Sequence, residues 1–190
     1  ATAVAVPGLV DGMGQMHDRY GTMPWADLLA PAIAFAREGL LVDWYAALII
    51  ASTARELAKD ADAAALFLED GQWPRISGWT ALSKQRLDQS RMGDSLERLA
   101  QKGARELYDG ELGASMAADI QAKGGSLSHD DLRAYSAQFS DPLSFAYRGA
   151  RFDVPPGLTA GPTFRAALDV MAAREMGDAP GASAFAAYAE

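Results

Sequence analysis

The stretch Leu143-Ser144-Phe145-Ala146-Tyr147-Arg148-Gly149-Ala150-Arg151-Phe152-Asp153-Val154 decides the fold class. Leu143, Phe145 and Tyr147 alternate with small or polar residues, Arg148-Gly149 is a turn pair, and Phe152 and Val154 alternate again. A period of two on both sides of a glycine-containing turn marks a β-hairpin. Pro155-Pro156-Gly157 then breaks the second strand. Elsewhere the apolar spacing is mainly helical, and 39 of the 190 residues are Ala, the best helix former. The expectation is an α+β chain, predominantly α-helical, with one β-hairpin.

Downstream of the hairpin, the spacing predicts a helix from about Thr163 to Glu175 and another beginning near Ala182. Immediately upstream, Ser128 with Asp131 reads as a capping box opening a short helix through Leu132 and Tyr135. Leu112, Met116 and Ile120 mark a helix over Glu111 to Lys123, ended by Gly124-Gly125. Another is expected from Asp88 to Gln101, burying Met92, Leu96 and Leu99 and stopping at Gly103. Between Leu66 and Thr80 the pattern is irregular, with Asp70-Gly71 and Ser77-Gly78 as turn signals. Residues 43–59 read as a helix. Thr22 is a candidate N-cap, with Pro24 in the first turn of a helix whose apolar face carries Trp25, Leu28, Leu29, Ala32, Phe35 and Ala36. A break is expected at Pro31 and a left-handed C′ residue at Gly39. Leu9 to Tyr20 reads as a helix in which Gly12 and Gly14 imply close packing, and residues 2–6 as a short strand.

The last helix has no C-cap glycine, no basic last turn and no polar tail, and the first residues read like a strand interior. The expectation is a single incomplete domain, cut from a longer chain, whose hairpin edges pair with further strands. With 49% hydrophobic residues a packed core is expected. Zero Cys excludes disulfides, thiolate metal sites and a cysteine nucleophile. A net charge of -8, with Lys only at Lys59, Lys84, Lys102 and Lys123, argues against a nucleic-acid partner. No apolar stretch approaches the ~18 residues of a membrane span. Ala1 to Gly8 lacks the basic region of a signal peptide.

Chemistry is sparse. His17 and His129 each stand alone and read as ordinary helix and cap residues, because a metal site needs spaced partners. No cofactor or metal is implied. The acidic pairs Glu69-Asp70 and Asp130-Asp131 lie in a turn and a cap rather than in a pattern that tunes two carboxylates apart. Thr2 would become an N-terminal nucleophile only after removal of Ala1, and otherwise reads as a strand residue. The loop Pro155 to Pro162 precedes a helix, where free N–H groups meet an anion or the chain merely turns.

Read together, several stretches resemble the γ-glutamyltranspeptidase (glutathione hydrolase) family. They are Ala5-Val6-Pro7-Gly8 with Gly12; Tyr20-Gly21-Thr22-Met23-Pro24-Trp25; Leu29-Ala30-Pro31-Ala32-Ile33; and Ala36-Arg37-Glu38-Gly39. The series continues with Phe67 to Gly71, Gly103-Ala104-Arg105-Glu106-Leu107-Tyr108-Asp109-Gly110, Gly124 to Ser128 with Asp131-Leu132 and Tyr135, then Tyr147-Arg148-Gly149 and Pro155-Pro156. The resemblance implies a piece of an N-terminal-nucleophile αββα sandwich: the central to C-terminal part of the large subunit, over residues 1–190. In that family a precursor cuts itself in two, and the new N-terminal Thr of the small subunit attacks the γ-glutamyl amide. The implied partners are that small subunit, the missing earlier part of the large subunit, and glutathione or another γ-glutamyl compound. Export to the periplasm or beyond is implied, although members without a signal exist.

Thr2, Thr22, Thr53, Thr80, Thr159 and Thr163 do not match the family's Thr-Thr-His start. No catalytic, substrate-binding or metal-binding residue is therefore carried over to any position. Where the family runs Pro-Pro-Pro-Ser-Ser-Gly-Gly, this chain has Pro155-Pro156-Gly157-Leu158-Thr159-Ala160-Gly161-Pro162. The departure bears on the parent's substrate and on whether it is active. The expectation is an inert piece of a γ-glutamyl hydrolase or transferase, prone to self-association through uncovered apolar surface. The alternative is a diverged, non-catalytic helical scaffold that binds a partner.

Overall fold

A computed structural model describes residues 4–75, 86–174 and 181–189. They fall into two compact units, Ala1–Ala137 and Gln138–Glu190.

The first unit opens with α1 (Leu9–Tyr20), at the bounds read from the sequence. A Cβ at Gly14 would sit 2.6 Å from the Ala104 Cβ, so only glycine lets the two segments approach this closely. Gly12 has no such constraint, its nearest neighbour being 3.8 Å away. Val4 to Val6 form no strand, and Thr2 lies outside the described residues.

Helix α2 (Trp25–Glu38) runs through Pro31 without the expected break. The ring sits on the exposed side, where water can satisfy the carbonyl it deprives, while the opposite side packs on α5 (Ser90–Lys102). Trp25 Nε1 donates to the Leu99 carbonyl at 2.9 Å, and Arg37 reaches Asp94 at 2.6 Å and Glu97 at 3.0 Å. These bonds and the buried seam outweigh one lost helix hydrogen bond. Thr22 is not the N-cap; Pro24 occupies that position, without a side-chain cap. Gly39 has the expected positive φ of 84°, but its ψ of 155° is extended rather than helical. Met92, expected inside, is exposed, whereas Leu99 is buried.

Helix α3 (Trp44–Leu57) is capped by the Asp43 carboxylate, which accepts from the Ala46 N–H at 2.8 Å. Helix α4 (Ala61–Phe67) has the same device in Asp60, which accepts from the Ala63 N–H at 2.9 Å. The supposedly irregular stretch then contains a small hairpin, β2 (Leu68–Glu69) with β3 (Trp73–Pro74). Its turn, Asp70 at φ 51° and Gly71 at φ 69°, matches that of the predicted hairpin, where Arg148 has φ 48° and Gly149 φ 81°. A further pair joins β1 (Leu40–Leu41) to β4 (Arg86–Leu87). The expectation of one hairpin is thus corrected: three two-stranded sheets are present among the described residues. Two-residue strands are too short to show a period. Ser77-Gly78 and Thr80 lie outside the described residues.

A 3₁₀ turn (Ala104–Leu107), α6 (Glu111–Ala122) and α7 (His129–Ala134) complete this unit. The Ser128–Asp131 capping box is present in both directions. Two hydrophobic clusters result. Val42, Ile50, Leu68 and Leu87 form one; Tyr108, Ala117, Leu127 and Leu132 form the other. Lys123 Nζ binds Asp60 at 2.9 Å, Asp62 at 3.0 Å and Asp119 at 3.3 Å, tying α4 to α6.

The second unit holds the predicted hairpin, β5 (Leu143–Tyr147) and β6 (Ala150–Val154), in register Phe145 opposite Phe152. Those rings stack at 5.5 Å, and Phe164 meets them edge-on at 6.2 and 5.8 Å. Phe164 comes from α8 (Ala160–Ala172), which starts at Ala160 rather than near Thr163. Thr159 caps it, and Pro162 sits in the first turn, where a missing N–H costs no helix hydrogen bond. Helix α9 (Ala182–Ala189) follows.

Candidate functional site

Three stretches far apart in the chain meet around one carboxylate. Asp11 on α1 is the buried charged residue of the described chain, at 3% exposure. One oxygen accepts from the Ala137 N–H at 2.7 Å and from Gln15 Nε2 at 2.8 Å; the other accepts from Arg105 Nη1 at 3.0 Å. Gln15 Nε2 also reaches the Ala137 carbonyl at 2.9 Å. The Asp11 N–H donates to the Tyr108 hydroxyl at 3.0 Å, which in turn donates to the Pro7 carbonyl at 2.7 Å.

Arg105 is saturated. Its Nη1 also serves the Tyr135 carbonyl at 2.9 Å, its Nε and Nη2 grip Asp109 at 2.8 and 2.9 Å, and Nη2 reaches the Arg133 carbonyl at 3.4 Å. A guanidinium has five N–H groups, and five contacts are made. Its plane lies 4.8 Å from the Tyr108 ring centre, and Tyr108 stacks on Tyr135 at 5.7 Å. No donor remains to grip a substrate anion, so the cluster is a clamp joining α1 to the 3₁₀ turn and to the segment after α7.

The electrostatics agree. Burial alone would push the Asp11 carboxyl up; the Ala137 N–H, Arg105 and Gln15 outweigh burial and hold it below the ordinary range. Hydrogen bonds from Arg105 depress Asp109, and those from Arg98 depress Glu106. Asp109 binding raises the Arg105 guanidinium, so it stays charged. A carboxylate depressed in the native state stabilises fully above its unfolded value, about 3.9 for Asp, and loses that contribution as pH falls through the native value. Stability measured by urea unfolding should therefore fall progressively below about pH 4. Stability unchanged from pH 6 to pH 2.5 would contradict the clamp.

Beside the clamp lies an open hollow of about 660 Å³, lined among others by His17, Trp25, Lys102, Arg133 and Ser136. His17, expected at the surface, is half-buried: its Nε2 lies 2.7 Å from the Met23 carbonyl, and its ring meets Trp25 edge-on at 5.5 Å. A carbonyl only accepts, so Nε2 carries the proton, and the ring pins the loop before α2. Ser136 accepts from Gln15 and donates to the Ala137 carbonyl, so nothing there withdraws its proton. The hollow offers polar contacts but no nucleophile paired with a base.

The other sequence candidates do not converge. His129 opens α7, with Nε2 buried and unpartnered. Glu69 ends β2 with Asp70 in the turn after it, and Asp130-Asp131 lie in the first turn of α7. Thr53 bonds back to the Ile49 carbonyl within α3. No group of three or more His, Asp or Glu able to hold a metal occurs among the described residues. Asp11, the centre of the clamp, went unnoticed in the sequence, because an Asp in the first turn of a helix reads as a dipole partner facing water.

Residues 1–189 match the family described as Gamma-glutamyltranspeptidase. The chain belongs to the gamma-glutamyltranspeptidase family. It is 37% identical over 156 residues to an acylase ACY 1 proenzyme of Pseudomonas sp. (strain V22), a match covering 82% of this chain and 27% of that protein. It is 33% identical over 161 residues to the glutathione hydrolase proenzyme of Escherichia coli (strain K12), covering 84% of this chain and 27% of that one. Among solved structures it is similar to a gamma-glutamyltranspeptidase from Pseudomonas nitroreducens complexed with L-DON. There the TM-score is 0.81 at 26% identity, covering 98% of this chain and 53% of that one. The chain therefore spans about a quarter of the curated relatives it matches.

Three of the stretches that resemble the gamma-glutamyltranspeptidase family meet at the clamp. Pro7 and Gly8, then Arg105, Tyr108 and Asp109, then Tyr135 come from three separate motif stretches and meet here. The altered Pro-rich loop lies in the second unit. Thr159 Oγ1 donates to the Pro155 carbonyl at 2.8 Å and caps the Gly161 N–H at 3.2 Å. Since Pro162 has no N–H, two of the first-turn positions of α8 are closed to an anion. A Cβ at Gly161 would fall 2.0 Å from the Pro155 carbonyl, so a glycine is required there by space alone. This loop is a turn that packs a helix against a strand.

Proposed function

We propose that this chain is one incomplete domain of a γ-glutamyl hydrolase or transferase, forming the central to C-terminal part of its large subunit. It carries structure rather than chemistry. The observation that supports this most is that the family likeness spans nearly the whole chain while its converging motifs form a saturated clamp. In this reading the reaction centre is an N-terminal Thr on a small subunit of the parent. Its hydroxyl adds to the γ-glutamyl amide carbonyl while the α-amine takes the proton and passes it to the leaving amine. Water or an acceptor amine then releases the acyl group. The parent is exported to the periplasm or beyond. No helix among the described residues is long and apolar enough to cross a membrane.

The acylase relative at 37% identity favours a second reading of the substrate. The same chemistry opens an amide whose acyl group is not γ-glutamyl, and the departure at Pro155 to Pro162 fits a changed substrate.

Alone, the chain should release no product from a γ-glutamyl anilide, and co-expression with the remainder of its parent should restore turnover. Turnover by the chain alone, surviving Thr2→Ala, would refute this placement of the chemistry. Restored turnover on an acyl anilide but not the γ-glutamyl one would select the acylase reading.

A further inference from the structure

The open hollow of about 660 Å³ beside the clamp has a committed wall and an uncommitted rim. Its volume lies within the range of small-molecule sites. Asp11, Gln15 and Arg105 line the wall, and their polar atoms are engaged in the clamp. Trp25 and His17 are held from behind, the indole Nε1 by the Leu99 carbonyl and the imidazole Nε2 by the Met23 carbonyl. Gly14 and Ala104, which also line the hollow, bring α1 directly against the 3₁₀ turn. These ties fix the shape of the hollow before anything enters it, which lowers the cost of filling it.

The rim is charged and unengaged. Lys102 has no hydrogen bond or ion pair among the described residues. Arg133 reaches Asp130 at 3.6 Å, with its side chain 60% exposed. Asp18 reaches His17 Nδ1 at 3.9 Å, with its side chain 87% exposed. Lys102 and Arg133 stand in the last turns of α5 and α7, where a cation complements the helix dipole. The dipole accounts for the sign of each charge, but it gives their N–H donors no acceptor in the hollow.

We propose that this hollow binds a small zwitterion of the α-amino-acid class. Its carboxylate sits on Lys102 and Arg133, its ammonium on Asp18, and its side chain against Trp25 and Ala104. The sign of the rim selects that class. A pure anion meets Asp18, and a pure cation meets Lys102 and Arg133; a molecule carrying both charges complements all three. The hollow has no nucleophile paired with a base, so the ligand is held rather than transformed. The site stands independently of where the parent's chemistry lies.

Three probes with one phenyl body separate the charges. L-phenylalanine carries both, 3-phenylpropanoate the anion alone and phenethylammonium the cation alone. Each is titrated by calorimetry into this chain and into the whole processed parent. The expected result is that L-phenylalanine binds both preparations at least about tenfold tighter than either half-charged probe. In Lys102→Met its advantage over phenethylammonium should shrink to about threefold or less, and in Asp18→Asn its advantage over 3-phenylpropanoate should do the same. Residues that only complete a helix end would change all three affinities alike. No binding of L-phenylalanine up to about 10 mM would overturn the proposal. So would equal binding of the three probes, variants that weaken all three equally, or binding by the chain that the parent lacks.

Discussion

Asp11→Ala should destabilise the first unit by about 3 kcal/mol, read as a fall in urea midpoint at unchanged m-value. The substitution strips the Ala137 N–H of its acceptor and leaves Arg105 Nη1 and Gln15 seeking partners. Breaking a buried ion pair typically costs ~3–5 kcal/mol. The low end applies because the Arg105 side chain is 41% exposed and water repairs part of the loss. Asp11→Asn keeps an acceptor for Ala137 while removing the charge, so roughly half that cost is expected. A loss below about 0.5 kcal/mol for Asp11→Ala would mean that the carboxylate is an ordinary surface group.

Tyr108→Ala should cost about 3–5 kcal/mol. Tyr108 is fully buried, at 0% exposure, and stands in a cluster with Ala117, Leu127 and Leu132. Truncation leaves a cavity between α6 and α7 and removes the ring stacked on Tyr135. Tyr108→Phe separates the ring from the hydroxyl. It keeps the packing but leaves the Asp11 N–H and the Pro7 carbonyl unpaired, which sets its cost at about 1–3 kcal/mol. Tyr108→Ala should therefore melt well below Tyr108→Phe in calorimetric Tm. Equal losses would place the whole effect in the hydrogen bonds.

Much of this architecture is legible residue by residue. Leu9 to Tyr20 appears as a helix at both expected ends, because Gly8 and Gly21 punctuate it. Ser128 and Asp131 form the predicted box because capping is a local affair of three residues. The Leu143–Val154 hairpin shows in its period of two. What escapes is non-local. Pro31 reads as a break, yet Arg37 with Asp94 and Trp25 with Leu99 hold the helix together from a partner 53 or more positions away. Leu40-Leu41 pairs with Arg86-Leu87 across 44 intervening positions, so neither dipeptide signals a strand by itself. Asp11 and Arg105 lie 94 positions apart, and only the fold shows that they meet. The family resemblance marks the Arg105 stretch, and Pro7-Gly8 and Gly12 on either side of Asp11, without marking Asp11 itself.

In the proposed reading, the clamp stretches of this chain build a wall that positions a reaction centre carried by other polypeptide. The most direct measurement is made in the whole parent enzyme carrying Arg105→Lys. Lysine offers a point charge in place of the planar fork that binds Asp109, Asp11 and the Tyr135 and Arg133 carbonyls, so the clamp should loosen. The prediction is a fall in Tm of a few degrees, about 2–4 °C, with kcat of the correctly processed fraction within about threefold of the original. An unchanged Tm with kcat reduced more than about a hundredfold would contradict it, placing Arg105 in the chemistry rather than in the wall.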